Sequence, residues 1–215
     1  MKKLFLLVLC IIVVVEGFSQ DQKANTILEQ VTRSMKSYKT IQANFIYIQE
    51  NKSENVYDEN IGKVTLSGEK YKLELPSLGL EIFCNGKTIW SYVEDANEVS
   101  IMSSDDEEAG LMNPVRLFNI HQQGFKSRFV EEKNIGDVFV YIIDLFPEDE
   151  SAEYKKLQIQ VDKKQMIICN VRMEGQNGDD YIVKVENIKN NISVNDKIFT
   201  FNKKDYKDVE EIDLR

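Results

Sequence analysis

The sequence predicts a mainly β domain: one meandering antiparallel sheet of about ten or eleven strands, curved or closed into a barrel, with two helical inserts. Three observations predict it. From Ile41 nearly to the C-terminus apolar residues alternate with period two, the repeat of a strand with one face buried. Turn chemistry recurs roughly every eight to twelve residues, the spacing of a meander or barrel. Only two stretches depart from this pattern with helical spacing, one ending near Ser37 and one at Asn113–Ile120. No break in composition and no internal repeat divides the chain, so a single domain is expected.

The first twenty residues read as a removable leader. Lys2 and Lys3 precede an unbroken apolar run, Leu4 to Val15, and Gly17-Phe18-Ser19-Gln20 offers small residues for cleavage. A run of this length is too short to span a bilayer comfortably. Cys10 raises the alternative of a lipidated cysteine, but Leu9 occupies the preceding position, where a small residue is needed, and the apolar run continues past it. The expected mature domain is therefore 21–215, exported and soluble, and expected to be a monomer.

Asp21 to Ser37 follows as an amphipathic helix, with Ala24, Ile27, Leu28, Val31 and Met35 on one face and Lys23, Asn25, Glu29, Gln30 and Arg33 on the other. At Ile41 the period changes: Ile41, Ala43, Phe45 and Tyr47 share a face opposite Gln42 and Asn44. Strands are then expected at Val56–Leu66 and Tyr71–Leu75. Ile82-Phe83 and Ile89–Val93 flank Asn85-Gly86, a type I′ hairpin signal, and Asp95-Ala96-Asn97 turns the chain toward Val99 and Ile101. After an acidic loop, Ser103–Glu108, Asn113-Pro114 starts the second helix with a capping residue and a proline at its first position. Strands resume at Phe125–Val130, Val138–Leu145, Tyr154–Val161, Met166–Met173 and Tyr181–Ile188, with Phe199 and Phe201 in a last apolar alternation.

Composition excludes several functions. The chain carries 27 basic and 36 acidic residues, net −9, and loss of the leader makes it about −10. Nucleic acid and anionic membrane surfaces would repel such a domain. Its one histidine, His121, rules out a HExxH or multi-histidine metal site, and no GxSxG elbow, CxxC pair or glycine-rich phosphate loop occurs. The acidic runs Asp105–Glu108 and Glu148–Glu150 lack the alternating ligands and glycine of a calcium loop. No catalytic residue, metal site or cofactor is expected. Cys84 and Cys169 both fall inside expected strands; export permits a disulfide, but a buried free thiol suits the same positions.

A sheet of ten or eleven strands accumulates enough twist that it must curve or close. Its inner face then either packs on a second layer or encloses a ligand cavity, with the two helices as covers. Parity alone leaves both readings open, and aromatics on strands serve either.

The chain resembles the periplasmic outer-membrane lipoprotein carriers, the LolA-like proteins. The resemblance rests on Ala24-x-x-Ile27-Leu28-x-x-Val31, on Tyr38, Ile41, Ala43 and Phe45, and on Gly62. It continues through Asn85-Gly86-Lys87-x-x-Trp90-x-Tyr92, Asn97-Glu98-Val99, Asn113-Pro114, Pro147, Phe199-x-Phe201 and Asp213-Leu214-Arg215. It implies an unclosed β-barrel with a helical lid over a hydrophobic cavity. It also implies lipoprotein acyl chains as ligand, an inner-membrane lipoprotein-releasing transporter as donor and an outer-membrane acceptor. A lipid-sensing regulatory module of the cell envelope shares the fold and is the alternative. The expected cavity walls are Phe45, Val64, Leu66, Tyr71, Leu73, Ile82, Trp90 and Tyr92 from the sheet, with Leu117 and Phe118 from the lid. Family members hold the lid with an arginine soon after the position of Gly62; no arginine lies between Gly62 and Pro76 here.

Overall fold

Most of the strands pair with their neighbours in sequence, and two pairings, the first strand with the eleventh and the sixth with the twelfth, join distant parts of the chain. The computed structural model describes residues 21–105, 113–115 and 124–215. The expected leader, most of the acidic loop, and the lid residues Leu117 and Phe118 with His121 lie outside the described residues. Helix α1 covers residues 21–37. Twelve strands follow: β1 (Ile41–Asn51), β2 (Val56–Ser67), β3 (Lys70–Leu75), β4 (Leu80–Cys84), β5 (Thr88–Val93), β6 (Glu98–Ser103), β7 (Phe125–Ile135), β8 (Val138–Pro147), β9 (Tyr154–Asp162), β10 (Ile167–Gly175), β11 (Asp180–Asn190) and β12 (Glu210–Asp213). They form one sheet in the order β12-β6-β5-β4-β3-β2-β1-β11-β10-β9-β8-β7. Two antiparallel meanders are joined in the middle by β1 and β11, and β7 and β12 end the sheet without meeting, so the barrel is unclosed.

Opposed residues carry the same face from strand to strand. Ile41, Ala43 and Phe45 stand opposite Leu66, Val64 and Gly62, and Leu66 and Val64 stand opposite Tyr71 and Leu73. Tyr71 and Leu73 continue to Cys84 and Ile82. On the other side Phe45 and Tyr47 meet Val185 and Val183, and Val183 meets Val171. Register shifts at Gln42/Asn44, Ile168/Asn170 and Phe129/Glu131 add local bends.

α1 lies on the inner face of the β8–β10 half. Ala24, Ile27, Leu28 and Val31 are buried with Ile143, Leu145, Leu157, Ile159 and Val161. Full burial of such side chains contributes about 1.5–3 kcal/mol each. The helix is also pinned by polar contacts: Lys23 Nζ reaches Glu132 at 2.9 Å and lies 3.7 Å from the centre of the Phe129 ring, and Ser34 Oγ donates to the Gln165 carbonyl.

The outer face is polar across much of its width, with cross-strand ion pairs Lys72–Glu81, Arg172–Glu50 and Arg128–Asp144 and the pair Lys72–Glu74 along β3. Over β4–β6 it is covered. After β11 the chain makes short 3-10 turns at Asp196–Phe199 and Lys203–Asp205, so the expected strand alternation at Phe199 and Phe201 is absent. Phe201 and Val209 bury against Phe83 and Val99, with Trp90, Tyr92 and Tyr206 packed alongside. Asn97 Nδ2 donates to the carbonyls of Lys207 and Asp208, and β12 then runs parallel to β6. This twelfth strand had no signal in the sequence: its four residues, Glu-Glu-Ile-Asp, are all exposed and show no apolar alternation.

The Asn85-Gly86 turn also differs from expectation. Gly86 takes φ 90°, but Asn85 does not adopt a left-handed conformation, and Asn85, Gly86 and Lys87 form a three-residue loop. The Asn85 side chain supplies the reason: its Oδ1 accepts the N–H groups of Lys87 and Thr88, closing an Asx-type turn.

The C-terminal cover makes a testable prediction. Phe201→Ala is expected to lower unfolding free energy by about 3–5 kcal/mol in urea titrations. Hydrogen exchange should accelerate first at Glu210–Asp213, whose attachment depends on that packing.

Candidate functional site

α1 ends before it reaches β1, and among the described residues no further helix covers the inner face beyond its last turn. There an apolar cavity of about 150 Å³ lies between Met35 of α1 and strands β1–β3, β10 and β11. Its walls are Ile41, Ala43, Phe45 and Tyr47 from β1, Val64 and Leu66 from β2, and Leu73 and Leu75 from β3. Ile167, Ile168 and Val171 of β10 and Val183, Val185, Ile188 and Asn190 of β11 complete the sheet side. Pro114 lines it from the segment that follows Asn113, whose Oδ1 accepts the Val115 N–H. A space of this volume holds a group as large as a benzene ring.

Gly62 shapes the wall. It stands opposite Phe45, and a Cβ placed on it would lie 2.2 Å from Phe45 Cζ, so the ring rests on the bare glycine backbone. Tyr47 stacks on Tyr181 with ring centres 6.4 Å apart, and burial, reinforced by Tyr181 and Asp58, pushes its phenol pKa upward.

Beside this cavity a second, more polar opening is lined by Lys36, Tyr38, Lys39, Thr40, Gly68, Glu69 and Val115. The two share Met35, Ile41 and Leu66, so the apolar space leads into a polar mouth at the Ile41 end.

Of the expected wall residues, Phe45, Val64, Leu66 and Leu73 line the cavity. Tyr71 and Ile82 face the same side but pack into the flanking cluster of Leu66, Cys84 and Ile89. Trp90 and Tyr92 require a correction. They stand opposite Phe83 and Glu81, which share the outer face with Lys72 and Glu74, and they bury under the C-terminal segment instead of in the cavity. Tyr206, packed on Tyr92, donates to Glu81 Oε2; burial and that carboxylate drive its phenol pKa far upward. The β10 and β11 walls were missing from the expected set. Val183 and Val185 alternate visibly in the sequence, but nothing there shows that β11 returns to pair with β1.

Three cations lie between Gly62 and Pro76, and Lys63, opposite Glu74, is on the outer face. Lys72 sits on the outer face between Glu74 and Glu81, and Lys70 pairs with Asp196 at 2.6 Å. Cys84 and Cys169 are free thiols, and burial pushes both thiol pKa values upward. Among the described residues no group of three or more metal-ligating side chains is placed to hold an ion, and no helix is long and apolar enough to cross a membrane.

The described residues thus form an open-sided β-barrel with a helix over part of its inner face and an apolar cavity beside it. The chain belongs to the family described as outer membrane lipoprotein carrier protein LolA, whose profile matches residues 36–202. Among solved structures, an uncharacterized conserved protein of Thermus thermophilus superposes with a TM-score of 0.62 at 13% identity, covering 89% of this chain and 99% of that one. The Mycobacterium tuberculosis lipoprotein LppX gives a TM-score of 0.50 at 11% identity over 81% of this chain and 98% of its own. At these identities the likeness is one of fold. An uncharacterized protein of Methanocaldococcus jannaschii is 22% identical over 193 residues, 86% of this chain, and the chain spans about half (53%) of that curated relative's length.

The Phe45–Gly62 contact gives the prediction of this site. Gly62→Ala is expected to push the Phe45 ring off its seat and destabilise the protein by about 1–3 kcal/mol in thermal or urea unfolding. Binding of a fluorescent acyl probe should weaken in the same variant, because the displaced ring enters the cavity.

Proposed function

We propose that this protein is a periplasmic carrier that takes the acyl chains of lipoproteins into its cavity and shuttles them from the inner to the outer membrane. The observation that carries this reading is the apolar cavity between Met35 and the β1–β11 seam, walled almost entirely by aliphatic and aromatic side chains. Family membership supports it. On this reading residues 1–20 are the export leader and 21–215 the working domain. An inner-membrane lipoprotein-releasing transporter is the donor, and an outer-membrane receptor is the acceptor.

The energetics explain why such a carrier needs partners. Each buried methylene contributes about 0.8 kcal/mol, so exposing one long acyl chain to water costs on the order of 10 kcal/mol. Release into solvent is slow at that cost, and cargo passes only by direct contact between donor, carrier and acceptor. A 150 Å³ space takes only part of a long chain; the remainder runs past Pro114, and Leu117 and Phe118 complete the proposed binding set. The acidic surface keeps the loaded carrier soluble and off anionic membranes.

The test mixes the purified full mature chain with inner membranes carrying a tagged triacylated lipoprotein and its releasing transporter. Wild type should bring lipoprotein into the soluble fraction. Val183→Asp, which places a carboxylate on the cavity wall, should lower both acyl-probe affinity and lipoprotein release at least about tenfold while far-UV circular dichroism stays unchanged. Acyl binding without lipoprotein release would instead favour the lipid-sensing regulatory module, and absence of acyl binding would overturn both.

Trp90 provides an independent check. A dibrominated acyl chain that displaces the fluorescent probe should leave the fluorescence of Trp90 largely intact, because the ring lies on the opposite face of the sheet. Quenching by more than half would show that the chain binds elsewhere.

A further inference from the structure

Asn190 is out of place in its surroundings. It is the last residue of β11, stands opposite Ile41 and lines the cavity, where, among the described residues, Tyr47 has the only other polar side chain. Tyr47 lies six positions along β1 from Ile41, about 20 Å away at strand rise. Asn190 as a residue is half-buried, but its Oδ1 is buried and, among the described residues, has no hydrogen-bond partner. An acceptor left in this condition costs about as much as a lost hydrogen bond, and it is normally satisfied by something.

Its position indicates what that is. The apolar cavity joins the polar mouth at Met35, Ile41 and Leu66, and the register partner of Ile41 is Asn190. An acyl chain lying in the cavity with its polar end in the mouth has its linkage, the atoms joining chain to headgroup, at this boundary. The site is also held firmly. Asn191 N–H donates to the Thr40 carbonyl at 2.7 Å, Lys39 N–H donates to Asn191 Oδ1 at 2.9 Å, and Thr40 Oγ donates to the Ile192 carbonyl at 2.6 Å. These bonds clamp the end of β11 to the start of β1 and fix the backbone that carries Asn190.

We infer that Asn190 Oδ1 reads the linkage of the bound chain by accepting a hydrogen bond from it, so that the site prefers amide-linked (N-acyl) chains to ester-linked ones. An amide linkage presents an N–H to the carbonyl oxygen of Asn190. An ester presents only acceptors there, and a fatty carboxylate likewise has no donor; with the amide oriented as it stands, either leaves Oδ1 buried and unpaired. Rejection of a ligand that lacks the one donor a buried acceptor needs is a stronger discriminator than chain length, where a single methylene changes little. The inference rests on the acyl-binding reading above and adds to it the chemical class of the acyl group selected.

The experiment uses two probes that differ in one atom pair: N-palmitoylglycine methyl ester and its counterpart with the N–H replaced by oxygen. Each competes with a fluorescent acyl probe for the full mature protein. The amide should bind about tenfold more tightly to wild type. In Asn190→Leu, which keeps the branched side-chain shape and removes the acceptor, the preference should fall below about twofold, chiefly because the ester gains. Equal binding of both probes to wild type overturns the inference and leaves the acyl-binding reading intact; so does a preference that survives in folded Asn190→Leu. Binding of neither probe overturns the acyl-binding reading itself, and this inference with it. Should Asn190→Leu fail to fold, the wild-type comparison and the smaller Asn190→Ala still decide.

Discussion

Coverage is the constraint on which the rest of the structure depends. Successive strand residues point to opposite faces, so a sheet of twelve strands presents an inner face roughly 55 Å across at the usual strand spacing. One helix over residues 21–37, about 25 Å long and about 10 Å wide, cannot cover it. It covers the β8–β10 half, where its apolar stripe completes a fully buried core. Among the described residues the β1–β3 and β11 half keeps its apolar residues without a matching helix, and the cavity lies there.

The seam between β1 and β11 turns this shortage into a site. It brings residues near Ile41 beside residues near Asn190, closing the loop between the two meanders. The cavity walls therefore come from both meanders, while the mouth is built where the chain leaves α1 and enters β1. The side-chain and backbone bonds among Lys39, Thr40, Asn191 and Ile192 hold that mouth in one geometry. A soft apolar wall and a firm polar rim suit a ligand whose chain is variable and whose linkage is constant.

The outer face shows how parity misleads when both faces of a strand are buried. Along β5, Ile89, Ser91 and Val93 alternate with Trp90 and Tyr92, and the larger pair resembles a ligand wall. Parity separates the two sets correctly and is silent on which faces inward. The answer came from the C-terminal segment, whose Phe201, Val209 and Tyr206 cover Trp90 and Tyr92 from outside. That cover had no local signature, because a 3-10 turn and a four-residue exposed strand leave no periodic pattern.

By itself the sequence determined most of the elements and which residues share a face: the stripe of α1, the period-two strands β1 to β11 and most of the turns between them. These are local properties, set by helix and strand repeat and by turn chemistry within a few residues. The family resemblance added the unclosed barrel, and four of the eight expected sheet residues line the cavity: Phe45, Val64, Leu66 and Leu73. Only the tertiary structure decided which face is inner at β5, that Val183 and Val185 join the wall, and that Asn190 stands with its acceptor unpaired beside Ile41. Each of these depends on pairing across long stretches of chain, above all of β1 with β11. Local periodicity carries no record of a partner some 140 residues away, because any strand of matching parity would satisfy it.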